Sequence, residues 1–393
     1  MTTRVKKQRK PAPKLSVQDK LTKLREEMNE ALVERTDEVD GLLVALLARE
    51  HMLLLGPPGT AKTLMVELAS KAIDGSSYFY WLMSRFTVPE ELFGSFSLKA
   101  LKQDKHERVT GGKLPEASIA FLDEVFKANS AILNNLLTLI NERKFHNGGQ
   151  ALDVPLETMV GASNELPESG ELDALYDRFL LRYWTSYISD RGAFKDMLMN
   201  GEPMISTTLT MAELQAAQEE ADQVVITEDI LDLLVEVKQA IEKAGFLCSD
   251  RRWVKCLCLL QAHAYLNGRS EVTEEDLMLL RHILWKEPKD RGELGRVIAK
   301  VANPLAHECQ VILDACKETY REIPFNEQVE ESRSAEVFTQ VVEANGQFKQ
   351  AVEKLKKLAN GKRSGVVESA VDEIETMMTE AGRFAGKVSG LSI

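Results

Sequence analysis

The stretch LLLGPPGTAKT, Leu53 to Thr63, constrains this chain more than any other. A short apolar run, HMLLL, feeds a glycine-rich loop, and LMVELASKAI continues as a helix. Strand, glycine loop and helix in that order is the context a phosphate-binding loop requires. The loop runs Gly56, Pro57, Pro58, Gly59, Thr60, Ala61, and the helix opens with Lys62, Thr63 and Leu64. Successive backbone N–H groups there wrap a phosphate at a helix N-terminus. Lys62 is expected to reach the β- and γ-phosphates of a nucleoside triphosphate, and Thr63 to hold Mg2+ through its hydroxyl. The last glycine usual in such a loop is replaced by Ala61, whose methyl is tolerable only at negative φ.

A nucleotide loop calls for the rest of a hydrolytic set. The run IAFLDE ends a buried strand in two acids. Asp123 is expected to bind Mg2+ through water, and Glu124 to polarise the attacking water. Asn164 closes a second apolar run, MVGASN, at the strand end where open parallel sheets bind ligands, and its amide suits helping Glu124. Arg178, in ALYDRF, is a candidate cation for a neighbouring subunit's transition state, with Arg182 as its rival. Arg251 and Arg252, in SDRRW, fall in the first turn of a helix capped by Ser249, where the dipole disfavours cations. A negative partner is therefore expected, and Arg251 is assigned to the γ-phosphate from the helical domain.

Strands interleaved with helices over 20–200 predict an α/β domain with a parallel sheet covered on both faces. Two insertions break the rhythm. Residues 93–114 read as a polar-tipped hairpin, and 144–155 as a second hairpin turning at Asn147-Gly148. From about residue 205 the strands stop, and helices begin near Thr210, Thr227, Ser249 and Thr273, giving an all-helical domain over 201–290. In 291–393, Phe338, Val341, Asn345, Phe348, Val352, Leu355 and Ala359 repeat at heptad spacing. After a turn at Asn360 and Gly361, Val367, Val371, Ile374, Met378, Ala381, Ala385 and Val388 do the same, predicting an antiparallel helical hairpin with Asn345 in its seam.

Charge narrows the partners. Residues 1–19 read as a disordered basic leader; residues 1–18 hold six cations and no acid, so of the net −12 the remainder of the chain carries about −18. An acidic body repels phosphate backbones, so a nucleic-acid partner is unlikely from sequence. No apolar run is long enough for a membrane span, and five cysteines without CxxC spacing read as reduced thiols of a cytoplasmic protein.

With GPPGTAKT, FLDEV, NERKFHNG, ASNE and LYDRF in place, the chain resembles a AAA+ ATPase, and within that class the MoxR family. The wording of RFTVPEELFG, LPEASIAFLDEVFKANSAILNNLLTLINER and SDRRW is most similar to the regulatory ATPase variant (RavA) branch. The resemblance implies ATP and Mg2+ as cofactors, an α/β domain followed by an all-helical lid, and a homo-oligomeric ring, usually a hexamer. It also implies chaperone-like remodelling of a protein client, with a partner carrying a von Willebrand factor A (vWA) domain. The two insertions become pore-facing elements.

Overall fold

The computed structural model describes residues 15–167, 170–199, 204–325, 334–358 and 365–388. Its contacts divide the chain into two compact units, Met1–Asp232 with Phe246–Arg291, and Leu233–Gly245 with Gly292–Ile393. One division falls after Arg291, beside the boundary expected at 290, and the others fall inside the expected helical lid, at 232/233 and 245/246, with none at 200.

The first unit opens with α1 (Val17–Ala31), whose Ser16 cap and Asp19 bond reciprocally. This helix begins inside the stretch assigned to the leader; residues 1–14 lie outside the described residues. After α2 (Thr36–Leu47) comes β1 (Met52–Leu55), all four of whose residues are buried. The phosphate-type loop leads into α3 (Lys62–Lys71), followed by β2 (Ile73–Asp74) and β3 (Tyr78–Leu82). Then come α4 (Pro89–Phe93), α5 (Leu98–Leu101), β4 (Ile119–Asp123), α6 (Ser130–Glu142), β5 (Lys144–Asn147), β6 (Gln150–Asp153) and β7 (Thr158–Ser163). Helix α7 (Glu171–Arg178), β8 (Leu181–Trp184), α8 (Arg191–Met199) and β9 (Leu209–Thr210) complete the α/β part.

The main sheet has the order β3-β4-β7-β1-β8, with every pairing parallel. Continuous burial along β1 and β7 is what a strand covered on both faces demands, and the apolar runs MLLL and TMVGAS supply it. Edge strand β3 instead buries only Phe79 and exposes Tyr80 and Leu82. All five strands point their C-terminal ends the same way, so the residues after β1, β4, β7 and β8 gather at one edge of the sheet.

Both insertions differ from expectation in detail. Residues 93–114 form no hairpin ladder. Ser97 accepts a hydrogen bond from the Ala100 N–H and starts α5, and one antiparallel bridge, Phe96 to Arg108, closes the loop. A hydroxyl cap favours a helical turn over continued pairing. The second insertion is a hairpin, β5 with β6, but its turn is Gly148-Gly149 at φ 60° and 84°. Positive φ at both turn positions suits glycine, and Asn147 becomes the last paired residue. Its amide side chain brackets Arg108, accepting from the N–H at 2.6 Å and donating to the carbonyl at 3.1 Å. The two insertions are thereby fastened together.

Strands do not stop at residue 205, since β9 pairs with β2. Next come α9 (Met211–Asp222), capped reciprocally by Thr210 and Glu213, α10 (Glu228–Lys243) and α11 (Asp250–Leu266). Thr273 heads a stretch of 3-10 helix, Glu274–His282.

In the second unit, α12 (Arg291–Ala302) precedes α13 (Pro304–Arg321), α14 (Ser334–Leu358) and α15 (Gly365–Val388). The expected pair of tail helices is present, but the core is a three-helix one. Cys309, Ile312, Leu313 and Cys316 of α13 join Val341, Phe348 and Leu355 of α14 and Ile374 and Ala381 of α15. Phe338, assigned to the seam, is 37% exposed because α13 takes up the face that Val337 and Ala344 bury. Ala359, Asn360 and Gly361 lie outside the described residues.

Candidate functional site

The glycine loop is built from positive-φ positions. Gly56 has φ 139°, and a Cβ there would lie 2.1 Å from the Thr185 carbonyl oxygen, so no side chain fits. Gly59 follows at 77°. Ala61 corrects an expectation: its φ is +64°, the left-handed region, so the methyl is accommodated with strain instead of avoiding it. The first helical bond of α3 runs from Met65 N–H to the Ala61 carbonyl. The N–H groups of Lys62, Thr63 and Leu64 thus have no acceptor within the helix, as at any helix start.

Lys62 folds over the loop. Its Nζ donates to the carbonyls of Gly56 at 2.8 Å and Pro57 at 2.9 Å. Burial lowers its pKa, and the charges of Asp123 and Glu124 oppose that shift. Those two acids end β4. Asp123 Oδ1 accepts from the Glu124 N–H at 3.0 Å, and Glu124 takes a left-handed conformation, φ 54° and ψ 42°. This turn sends the Glu124 side chain across to β7, where Asn164 Nδ2 donates to its Oε1 at 2.7 Å. Gly56 N–H in turn donates to the Ser163 carbonyl, one residue before Asn164. Lys62, Asp123, Glu124 and Asn164 are therefore gathered at the C-terminal edge of the sheet. A cavity of about 350 Å3 opens beside them, lined by Arg85, Glu124, Lys127, Ser163 and Glu165 among others.

Sequence reasoning missed Lys127, whose Nζ lies 3.3 Å from Glu124 Oε2. Its signal was the i,i+3 spacing from the acid. Lys127 and Asn164 together occupy both carboxylate oxygens of Glu124.

The candidate arginines collect elsewhere. Arg178 is the last residue of α7 and Arg251 lies in the first turn of α11. Both line a cleft with Glu50, His51, Ile140, Asn141 and Lys255. Glu50 and His51 precede β1, so this cleft lies at the N-terminal edge of the sheet. The four residues of β1 put roughly 13 Å of extended chain between it and the loop. Arg251 donates to Asn141 Oδ1 at 3.0 Å. It therefore faces away from its own chain's loop, and any γ-phosphate it touches belongs to another copy. The physical reason is the seating of α11: Lys255 pairs with Glu50 and Arg252 grips the end of α7. Burial, and then the Arg251 charge, lower the pKa of Arg178. Arg178 Nε is buried without a hydrogen-bond partner among the described residues.

Arg182 and Arg252 are not available to a neighbour. Arg182 is 2% exposed and donates to the carbonyls of Phe179, Trp285 and Tyr176. Burial and the nearby Arg252 lower its pKa to about 9. Arg252, 3% exposed, donates to the carbonyls of Asp177, Phe179, Leu180 and Ile283. The negative partner expected for a cation in the first turn of α11 is the Asp177 carboxylate of the same chain, whose Oδ1 accepts from Arg252 at 3.3 Å beside these carbonyls. Three of them stand at the C-terminus of α7, the negative end of that helix.

Residues 19–226 match the family described as the MoxR domain in the MoxR-vWA-beta-propeller ternary systems, and residues 229–298 match a AAA lid domain. The chain belongs to the MoxR family of AAA+ ATPases. Among MoxR relatives and similar proteins, an uncharacterized protein of Methanocaldococcus jannaschii is 38% identical over 377 residues, covering 95% of this chain and 98% of that protein. A second from the same organism is 42% identical over 308 residues, covering 77% and 82%. The chaperone MoxR1 of Mycobacterium tuberculosis is 26% identical, covering 66% and 74%. A crystal structure of a candidate ATPase from Cytophaga hutchinsonii shares the fold, with a TM-score of 0.59 at 18% identity over 73% of this chain and 95% of that one. No helix among the described residues is long and apolar enough to cross a membrane.

Proposed function

We propose that this MoxR protein hydrolyses ATP at sites shared between adjacent copies of itself in a ring, hexameric by family resemblance, and uses the cycle to remodel or activate a protein client in the cytoplasm. One observation carries the reading. Lys62, Asp123, Glu124 and Asn164 lie at one edge of the sheet, while Arg178 and Arg251 lie at the other. A single chain cannot bring both sets to one phosphate, and a head-to-tail neighbour can.

The roles follow from the chemistry. The loop N–H groups and Lys62 hold the β- and γ-phosphates. The donors available for Mg2+ are hard oxygens, the Thr63 hydroxyl and the Asp123 carboxylate, which suits an ion that keeps waters and takes the rest of its shell from phosphates. An Mg2+ held by Thr63 and Asp123 would supply positive charge against the phosphates. Glu124 orients the attacking water and accepts its proton, with Asn164 steering the carboxylate. Arg178 and Arg251 of the neighbour lie against the γ-phosphate as charge moves to the leaving oxygen. The buried Arg178 Nε, unpartnered among the described residues, is a donor in want of such an acceptor.

For the partner, the family matched over 19–226 favours a protein with a vWA domain, in company with a β-propeller. Co-purification of this chain with such a protein, dependent on ATP, tests that part.

The catalytic part is tested by subunit mixing. Glu124→Gln is expected to bind ATP without turning it over, and Arg178→Ala to behave likewise. Mixed, they form junctions pairing an intact Glu124 with an intact Arg178, and hydrolysis returns in part. No return of activity, with mixed assembly verified by sizing chromatography, sinks the shared-site reading.

A further inference from the structure

Arg35 stands in the turn between α1 and α2, outside every motif above. It is 6% exposed. Its Nε donates to the Thr60 carbonyl at 3.2 Å, one terminal nitrogen to the Glu34 carbonyl at 2.6 Å, and the other to the Ser186 carbonyl. Its hydrogen-bond partners among the described residues are all backbone carbonyls. Those carbonyls come from three separate places: the glycine loop, the α1–α2 turn and the segment after β8.

The contact with Thr60 answers a need of the loop. Backbone N–H and C=O point in opposite senses, so a run of N–H groups converging on an anion turns its carbonyls outward. Thr60 is 3% exposed, and an outward carbonyl buried there requires a donor. Arg35 supplies it, one residue before the strained Ala61. The Thr60 hydroxyl is held from the other side, by the Pro57 carbonyl and the Thr185 hydroxyl, each at 3.0 Å. Glu34 steadies the turn that carries Arg35: its carboxylate accepts from the N–H groups of Ser189 at 3.0 Å and Asp190 at 2.8 Å.

Charge points the same way. The field of Arg35 reaches Lys62, and the Lys62 ammonium is likewise held by carbonyls, of Gly56 and Pro57. Asp123 and Glu124 offset part of the repulsion between the two cations at Lys62, and a polyanion beside both relieves it further.

We infer that Arg35 is a positioning residue for the nucleotide, fixing the outer face of the glycine loop and adding positive charge behind the phosphates. The inference deepens the proposed ATP site and rests on that reading. Thr60→Ala would remove a hydroxyl but leave the carbonyl that Arg35 holds, so the informative variants are at Arg35 itself.

The test uses the full chain as parent, Arg35→Gln, Arg35→Lys and Lys62→Ala. ATP and ADP binding are measured by calorimetry, steady-state kcat and KM with Mg2+, and melting without nucleotide. Arg35→Gln is expected to weaken both nucleotides and raise KM by about 10- to 100-fold, the loss of charged hydrogen bonds at a site the ligand depends on. Its kcat at saturating ATP stays within about threefold of the parent, because Arg35 touches no reacting atom. Arg35→Lys recovers part of the affinity. An Arg35→Gln protein that melts earlier yet binds ATP with parental affinity while folded overturns the inference and leaves Arg35 a packing residue. A parent that binds no ATP, or a Lys62→Ala variant that binds as the parent does, instead overturns the ATP-site reading beneath it.

Discussion

Adjacent arginines of one motif should respond to truncation in opposite ways. Arg252→Ala removes the donor from the carbonyls of Asp177, Leu180 and Ile283 in a site that is 3% exposed. Phe179 keeps a donor in Arg182, so it does not count toward the loss. An acceptor stripped of its partner in a buried place costs about 1–3 kcal/mol, and three near the low end give about 3–5 kcal/mol. For a unit of this size, that lowers the melting temperature by roughly 6–20 °C. Arg251 is exposed and makes one hydrogen bond, to Asn141, so Arg251→Ala should cost about 0.5 kcal/mol or less. It should nevertheless abolish most turnover if it serves a neighbour's phosphate. The assay is thermal melting by circular dichroism, paired with ATP hydrolysis. Arg252→Lys is the control: a point cation cannot span carbonyls that a planar fork reaches, so it should recover less than half of the loss. Equal melting temperatures for the two alanine variants would refute the division of labour.

Three further outcomes follow from single residues. Ala61→Gly should stabilise the protein by about 0.5–1 kcal/mol, the relief of a left-handed alanine less the entropy glycine adds to the unfolded chain, and chemical denaturation reads it. Glu27 is pushed up by burial but down further by hydrogen bonds from Ser206 and Thr207, to about 2. The unfolded chain therefore binds the extra proton first, and the stability Glu27 contributes above its ordinary range should drain away as pH falls from about 4.5 towards 2; a Glu27→Gln variant should show a shallower acid slope over that window. Asn345 has a buried Oδ1 with no hydrogen-bond partner among the described residues, so Asn345→Leu should raise the stability of that unit by about 1–2 kcal/mol, and an unchanged or lower denaturation midpoint would refute that account.

The residues at the loop edge were legible because each closes an apolar strand, and a parallel sheet brings strand ends together whatever else the chain does. The glycine loop, Asp123-Glu124 and Asn164 needed only that rule. The side of the sheet that receives Arg251 was not legible. It depends on how α11 seats, which Lys255 with Glu50 and Arg252 with the end of α7 decide over long sequence separations. Ala61 was misread because alanine favours negative φ, and the loop's path overrode that preference. The third tail helix was missed because α13 presents cysteines where a heptad reading looks for leucine. The 93–114 insertion misled through its polar tip, since Ser97 as a cap is invisible until Ala100 is seen to donate to it.

The two guanidinium clamps on α7 have a mechanical corollary. Arg252 rides on α11 and Arg182 on β8, and between them they hold the carbonyls of Tyr176, Asp177, Phe179 and Leu180. Arg178 lies inside that gripped segment. A torque applied to α11 is therefore delivered to Arg178 as displacement instead of being lost in a slack joint, so whatever pushes on α11 also levers the cation we propose for a neighbour's phosphate.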